Sequence, residues 1–314
     1  MFERSDCNRR SFLRSAGAGV AGGLLLARDA MSAIAEPGLP IIDTHAHIYG
    51  EDEQAYPTIA DPYRPPEGTG TIDHLRREMK ANGVTNVTAV QTSTFYRWDN
   101  RFTADSARKH RDFMVGICTL DPDDSASPEL LDRYVKSYNV RGMRSIVAKS
   151  GKLDDPGVDR LWGTAERLGI VINALVNREQ RPEIEALVAR HPRLRVVIDH
   201  CLNLKVGPRL QPTLKDMLAL ASLPNVHAKL SFIPTGSAEE YPCRDMFDVC
   251  HAVIEAYGAD RCVWGSDFPC ELWCPKVTYA EHLKIFTHEL GLDEPSKQMI
   301  LSETARKLWF QQRA

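Results

Sequence analysis

The sequence predicts a closed parallel α/β barrel, the (β/α)8 TIM-barrel class, in one domain. Strand-like and helix-like segments alternate eight times, and the strand-like runs are apolar and β-branched throughout, as strands buried on both faces are. No Pro/Ser-rich linker interrupts the series, and a domain of about 280 residues is the right size for one such barrel.

The strand-like runs are 40–47, 84–92, 113–120, 140–147, 169–176, 194–200, 225–231 and 261–267. Amphipathic stretches between them read as helices: 72–81, 129–137, 159–168, 183–190, 213–221 and 245–257. A last pair, 279–290 and 296–310, ends the chain. The first strand closes on Leu39-Pro-Ile-Ile-Asp-Thr-His-Ala-His, where the two-residue period puts His45 and His47 on one face with Asp43 behind them. The Pro- and Gly-rich loop from Tyr49 to Gly70 follows and is placed to cover the barrel mouth as a lid.

Residues 1–35 read as an export signal, leaving 36–314 as the barrel domain. Arg9-Arg10 stands directly before Ser-Phe-Leu, an uncharged run extends from Ala16 to Ala27, and Ala33-Ile-Ala35 resembles a cleavage tripeptide. The layout resembles a twin-arginine signal, which implies the twin-arginine export machinery as a partner and a periplasmic or exported destination. The apolar run is shorter than the roughly 20 residues that span a bilayer, so no permanent membrane anchor is expected. This segment holds five arginines against three acidic residues, so the net charge of −3 for the whole chain becomes −5 without it. The basic residues of the remainder are scattered among acids, without a block or stripe, and nucleic acid is not an expected partner. Seven cysteines remain after residue 35, an odd number; Cys270 and Cys274 have no second pair to complete a zinc site, and buried reduced thiols are the expectation.

In such a barrel the chemistry gathers at the C-terminal ends of the strands. Strand 1 ends in His45 and His47, strand 6 in Asp199-His200, and strand 8 in Gly265-Ser266-Asp267. Strand 4 contributes Arg144, strand 7 places His227, Lys229 and Ser231 on one face, and strand 5 offers only Asn173 and Asn177. Taken singly, each has a structural explanation: a helix cap, an internal ion pair, a satisfied core histidine. So many ionisable groups converging on one rim would be costly to bury without a catalytic or metal-binding reason.

Four segments carry a resemblance to the amidohydrolase superfamily, in its amidohydrolase-2 branch of dicarboxylate and sugar lactonases and zinc-dependent decarboxylases. They are Ile42-Asp-Thr-His-Ala-His47, Val197-Ile-Asp-His200, Asn225-Val-His-Ala-Lys-Leu-Ser231 and Val263-Trp-Gly-Ser-Asp-Phe-Pro269. The resemblance implies catalytic roles for His45, His47, His200 and Asp267. Metal-dependent members add a strand-5 histidine that Ile170-Val-Ile-Asn-Ala-Leu-Val-Asn177 lacks, so it implies either no cofactor or one divalent metal, zinc, on His45, His47 and Asp267. The expected activity is a hydrolase of lactonase type acting on a small carboxylate or lactone. Asp267 serves as general base, the histidines polarise the carbonyl directly or through one zinc, and Arg144 and Lys229 bind a substrate carboxylate or stabilise the site. A zinc-dependent non-oxidative decarboxylase and an exported binding protein without turnover stand as alternatives on the same fold.

Overall fold

The structure, a computed structural model, describes residues 40–311. The export-signal reading of residues 1–35 lies outside them.

Eight strands form a single parallel sheet in the order β1 to β8, each paired with its sequence neighbours. They are β1 (Ile41–Ala46), β2 (Val84–Val90), β3 (Met114–Thr119), β4 (Val140–Ser145), β5 (Val171–Ala174), β6 (Val196–Ile198), β7 (Val226–Lys229) and β8 (Cys262–Val263). The sheet closes on itself where the Thr44 N–H donates to the Trp264 carbonyl (3.1 Å) and the His47 N–H to that of Phe268 (2.8 Å). Closure brings β1 and the segment after β8 so near that a Cβ on Gly265 would stand 2.6 Å from the Cβ of His45, which accounts for glycine there.

The helices begin and end where local chemistry dictates. Ile72–Asn82 starts with the Thr71 hydroxyl accepting from the His74 N–H and stops at Gly83 in the left-handed conformation. Pro156–Leu168 has Asp155 as its cap, a proline in its first turn, and Gly169 at its end. The expected final pair is present as short α-helical turns, Tyr279–Lys284 and Glu294–Gln298, each continuing into π-helical turns. Among the described residues, the longest helix with no expectation attached to it is Arg101–Lys109, between β2 and β3. Its buried face is Thr103, Ala104, Ser106 and Ala107, too small and polar to show as a hydrophobic stripe.

Three apolar regions result among the described residues. The largest lies between the outer wall of the barrel and the helices; the second fills the barrel, with Ile42, Val90, Ile117, Val171, Val197 and Val263 meeting Leu308 and Trp309 from the helical turns that follow β8; the third is a small group of Tyr49, Phe95 and Tyr96. Since Ile42 faces inward, Asp43 faces the opposite way, a correction to the expectation that it stands behind the two histidines. A register shift between Asp43 and Ala46 marks a β-bulge in β1, and an extra residue there turns His45 back to the interior.

The loop after β1 is fastened to the segment after β2 through Ile59 N–H to Phe95 O (2.9 Å) and Tyr63 N–H to Thr94 O (3.0 Å). All seven cysteines of the domain are buried and unpaired, as expected. Among the described residues, no helix is long and apolar enough to cross a membrane.

Candidate active site

Three strands change character within two residues. Inward positions run from Val171 to Asn173 on β5, from Val197 to Asp199 on β6, and from Gly142 to Arg144 on β4, so an ionised layer lies directly above the apolar one. Asp199 is its hub, fully buried. It takes Lys229 Nζ at 2.8 Å and Arg144 Nε at 3.2 Å, with Asn173 Nδ2 at 3.4 Å. Burial by itself would raise the Asp199 pKa, but the Lys229 and Arg144 charges outweigh it and hold the carboxyl well below the usual range.

His45 sits on this layer, with Lys229 Nζ 3.3 Å from its Nδ1 and Arg144 Nη2 2.7 Å from its Nε2. Its neighbour His47 has Nδ1 2.9 Å from the Val90 carbonyl and Nε2 3.3 Å from that of His45. Burial first, and then nearby positive charge, pushes both imidazoles well below their ordinary pKa, so both are neutral at physiological pH.

Asp267 faces them, with Oδ1 3.4 Å from His45 Nε2 and 3.9 Å from His47 Nε2. It is aimed by its neighbour Ser266, whose N–H and hydroxyl donate to the outward-facing Asp43 carboxylate at 2.9 and 2.6 Å; the Tyr279 hydroxyl adds a third donor at 3.0 Å. Asp267 itself has a positive φ of 58°. Burial raises its pKa, opposed by His200 and Arg144.

His200 opens a turn in which four consecutive non-glycine residues, His200, Cys201, Leu202 and Asn203, have φ between 48° and 61°. A left-handed turn costs L-residues about 1–2 kcal/mol each. It is held by Ser231 Oγ at 2.9 Å from His200 Nδ1, by Cys201 Sγ donating to the Lys229 carbonyl at 3.2 Å, and by Asn203 Nδ2 donating to Asn177 Oδ1 at 2.9 Å. The turn delivers both His200 and Asn203 to the same cavity, the kind of place where backbone strain is retained.

That cavity, about 280 Å³, opens at the C-terminal end of the barrel. His47, Arg144, His200 and Asp267 meet at its charged end; Thr92, Ser93, Thr94 and Thr235 supply hydroxyl-bearing wall, with Leu175 and Trp273 completing it. Tyr63 from the long loop packs its ring 5.3 Å from that of Trp273, which brings the loop to the mouth. His45 and Lys229 have no exposed surface and do not line the cavity, so of the two roles expected for Lys229 it has no contact with the cavity for substrate binding and instead supports Asp199 and His45 from below. His227 lies lower still. Its Nδ1 is 3.3 Å from the Asn225 carbonyl, and burial lowers its pKa to about 4, as for a core histidine.

Which residues could hold a divalent metal? Ligand atoms of His45, His200 and Asp267 lie within 4.8 Å of one another, and His47 is close enough to replace His200. Two imidazoles and a carboxylate suit zinc. Arg144, however, already occupies the Nε2 lone pair of His45, so with the guanidinium in place these residues do not fit the ion.

The model of the amidohydrolase family matches residues 42–311. The chain is similar to an L-fucono-1,5-lactonase of Burkholderia ambifaria, 28% identical over 244 residues, covering 73% of this chain and 80% of that protein. Among solved structures it resembles one described as a probable 2-pyrone-4,6-dicarboxylic acid hydrolase of Acinetobacter baumannii with citric acid bound. The TM-score is 0.73 at 19% identity, covering 86% of this chain and 99% of that one. It also resembles a 5-carboxyvanillate decarboxylase of Sphingomonas paucimobilis, with a TM-score of 0.60 at 14% identity, covering 87% and 99%. At such identities the two structures speak for the fold alone. The family match spans every strand of the barrel and all the residues that meet at its mouth, and the chain belongs to the amidohydrolase family.

Proposed function

We propose that this protein is a lactonase that opens a small hydroxylated or carboxylate-bearing lactone. The observation that carries the reading is the meeting of one carboxylate, Asp267, with His47, His200 and Arg144 in the lining of a single cavity. Asp267 takes a proton from water as the water oxygen adds to the lactone carbonyl. The electron pair displaced onto the carbonyl oxygen is met by His200 and the Arg144 guanidinium, donors fixed before the reaction begins. Collapse of the adduct breaks the ring C–O bond, and Asp267 returns its proton to the departing alkoxide.

The substrate class is supported by the hydroxyl groups of Thr92, Ser93, Thr94 and Thr235 along the wall, and by similarity to a sugar-acid lactonase. A panel assay tests it: L-fucono-1,5-lactone and related lactones followed by acid release, beside aromatic carboxylic acids followed by carbon dioxide release. Saturable acid release from lactones is expected. Carbon dioxide release alone would make the protein a decarboxylase, and tight binding without turnover a binding protein.

We also propose that residues 1–35 send the folded enzyme out of the cytoplasm by the twin-arginine route, on the strength of Arg9-Arg10 before Ser-Phe-Leu. Replacing both arginines by lysine is expected to leave precursor in the cytoplasm; undiminished delivery would overturn this.

A further inference from the structure

Two imidazole lone pairs are pointed at each other in this site. The Val90 carbonyl can only accept, so the proton of His47 is on Nδ1 and its Nε2 presents a lone pair. His45 meets a pure donor on each side, Arg144 Nη2 at 2.7 Å from Nε2 and Lys229 Nζ at 3.3 Å from Nδ1; a neutral imidazole accepts at one nitrogen only, and the shorter contact puts the lone pair on Nε2, leaving the proton on Nδ1 on the side of the Asp199 carboxylate. The two Nε2 atoms are 3.3 Å apart, and Asp267 Oδ1 lies 3.4 and 3.9 Å from them. Three electron-rich atoms packed this closely in a buried place require a positive partner. A divalent metal is one solution to that requirement.

We propose that in this chain the Arg144 guanidinium is the resident cation of the site, standing where a catalytic metal would stand and keeping zinc out. Several contacts hold it there. Arg144 is only 5% exposed, and its Nε donates to Asp199, which is itself fixed by Lys229 and Asn173. Swinging the guanidinium aside to admit an ion would break the Nε bond and leave a buried cation without its carboxylate. Asn173 on β5 fits the same arrangement: a neutral side chain that donates to Asp199 and offers no imidazole toward the cavity. A zinc ion bonded to His45 at about 2.0–2.1 Å would meet the guanidinium at the same nitrogen, with the Lys229 ammonium facing the other nitrogen of that ring. Arg144 also lines the cavity, so the same group that excludes the metal faces the carbonyl oxygen in the proposed reaction. This last consequence rests on the lactonase reading; the exclusion of metal does not.

The test is zinc binding to the chelator-stripped protein, read by titration calorimetry and by metal analysis after dialysis, with cobalt(II) absorption as a spectroscopic probe. Wild type is expected to retain no stoichiometric zinc and to develop no cobalt bands of a nitrogen-ligated site. Arg144→Met keeps the apolar stem and leaves Asp199 paired with Lys229, so the variant is expected to fold. It should bind one zinc about 100-fold more tightly than wild type, at the upper end of what neighbours do to a metal site. Adding His45→Ala should abolish that gain. Stoichiometric zinc or cobalt bands in wild type would overturn the proposal whatever the variant does, as would a folded Arg144→Met protein that gains no affinity. Because these readouts need no turnover, failure of the lactonase reading and failure of this one are separately visible.

Discussion

The lower and upper parts of the barrel interior put one sheet to opposite purposes. Below, Ile42, Val90, Ile117, Val171, Val197 and Val263 close around Leu308 and Trp309; one inward step higher, Arg144, Asn173, Asp199 and Lys229 form an ionised layer with no exposed surface at Asp199 or Lys229. Burial stabilises the apolar half while desolvation costs the charged half, so the first anchors the second. The lower layer therefore bears on stability and the upper layer on chemistry, the division common to such barrels.

The sharpest way to break this comparison is at the hub. Asp199→Asn removes the one carboxylate holding Arg144 and Lys229, leaving two buried cations unpaired. It should cost about 3–5 kcal/mol of stability, measured by urea unfolding, and most of the activity as well. If the protein tolerates it with little change, the ionised layer is not what the distances describe. Leu308→Ala attacks the lower layer instead, sparing Trp309, whose ring lies 5.7 Å from Lys229 Nζ of the upper layer. A loss of about 2–5 kcal/mol is expected from the cavity it leaves, yet well below the lowered Tm its kcat should stay within about tenfold of wild type. A collapse of kcat in folded protein would show that the two layers are not separable. The smallest effect is in the pH profile. Asp267 must be ionised to act as base and burial raises its pKa, so kcat/KM should fall on acidification in a limb centred above the ordinary aspartate value of 3.8. A limb at or below that value would remove Asp267 from the role.

How much of this was legible beforehand follows the same division. Apolar β-branched runs announced the eight strands, because strands buried on both faces have few other compositions. The two-residue period, with the rule that chemistry lies at strand ends, singled out His47, Arg144, His200 and Asp267, which the structure brings to one cavity. The bulge in β1 was not visible, since a register shift depends on the partner strand, and Asp43 was therefore turned the wrong way. The hub role of Asp199 was also hidden: its importance comes from Arg144 and Lys229, distant in sequence, and a carboxylate beside His200 gives no sign of facing inward. Nothing in His200-Cys-Leu-Asn203 signals a left-handed turn, which would ordinarily be marked by glycine. Lys229 illustrates the remaining gap, because pattern gives the face of a strand but not the depth within a barrel.

The most direct measurement on the central claim is turnover and binding in Asp267→Asn, with hydrolysis of L-fucono-1,5-lactone or the best lactone of the panel as the assay. The amide keeps the shape but cannot accept the water's proton, so kcat/KM should fall by about 10²–10⁴-fold, while a product-like acid binds within about tenfold of wild type, roughly 1.4 kcal/mol. Undiminished lactone hydrolysis in this variant would contradict the account, leaving the carboxylate as no more than a partner of the two strand-1 histidines.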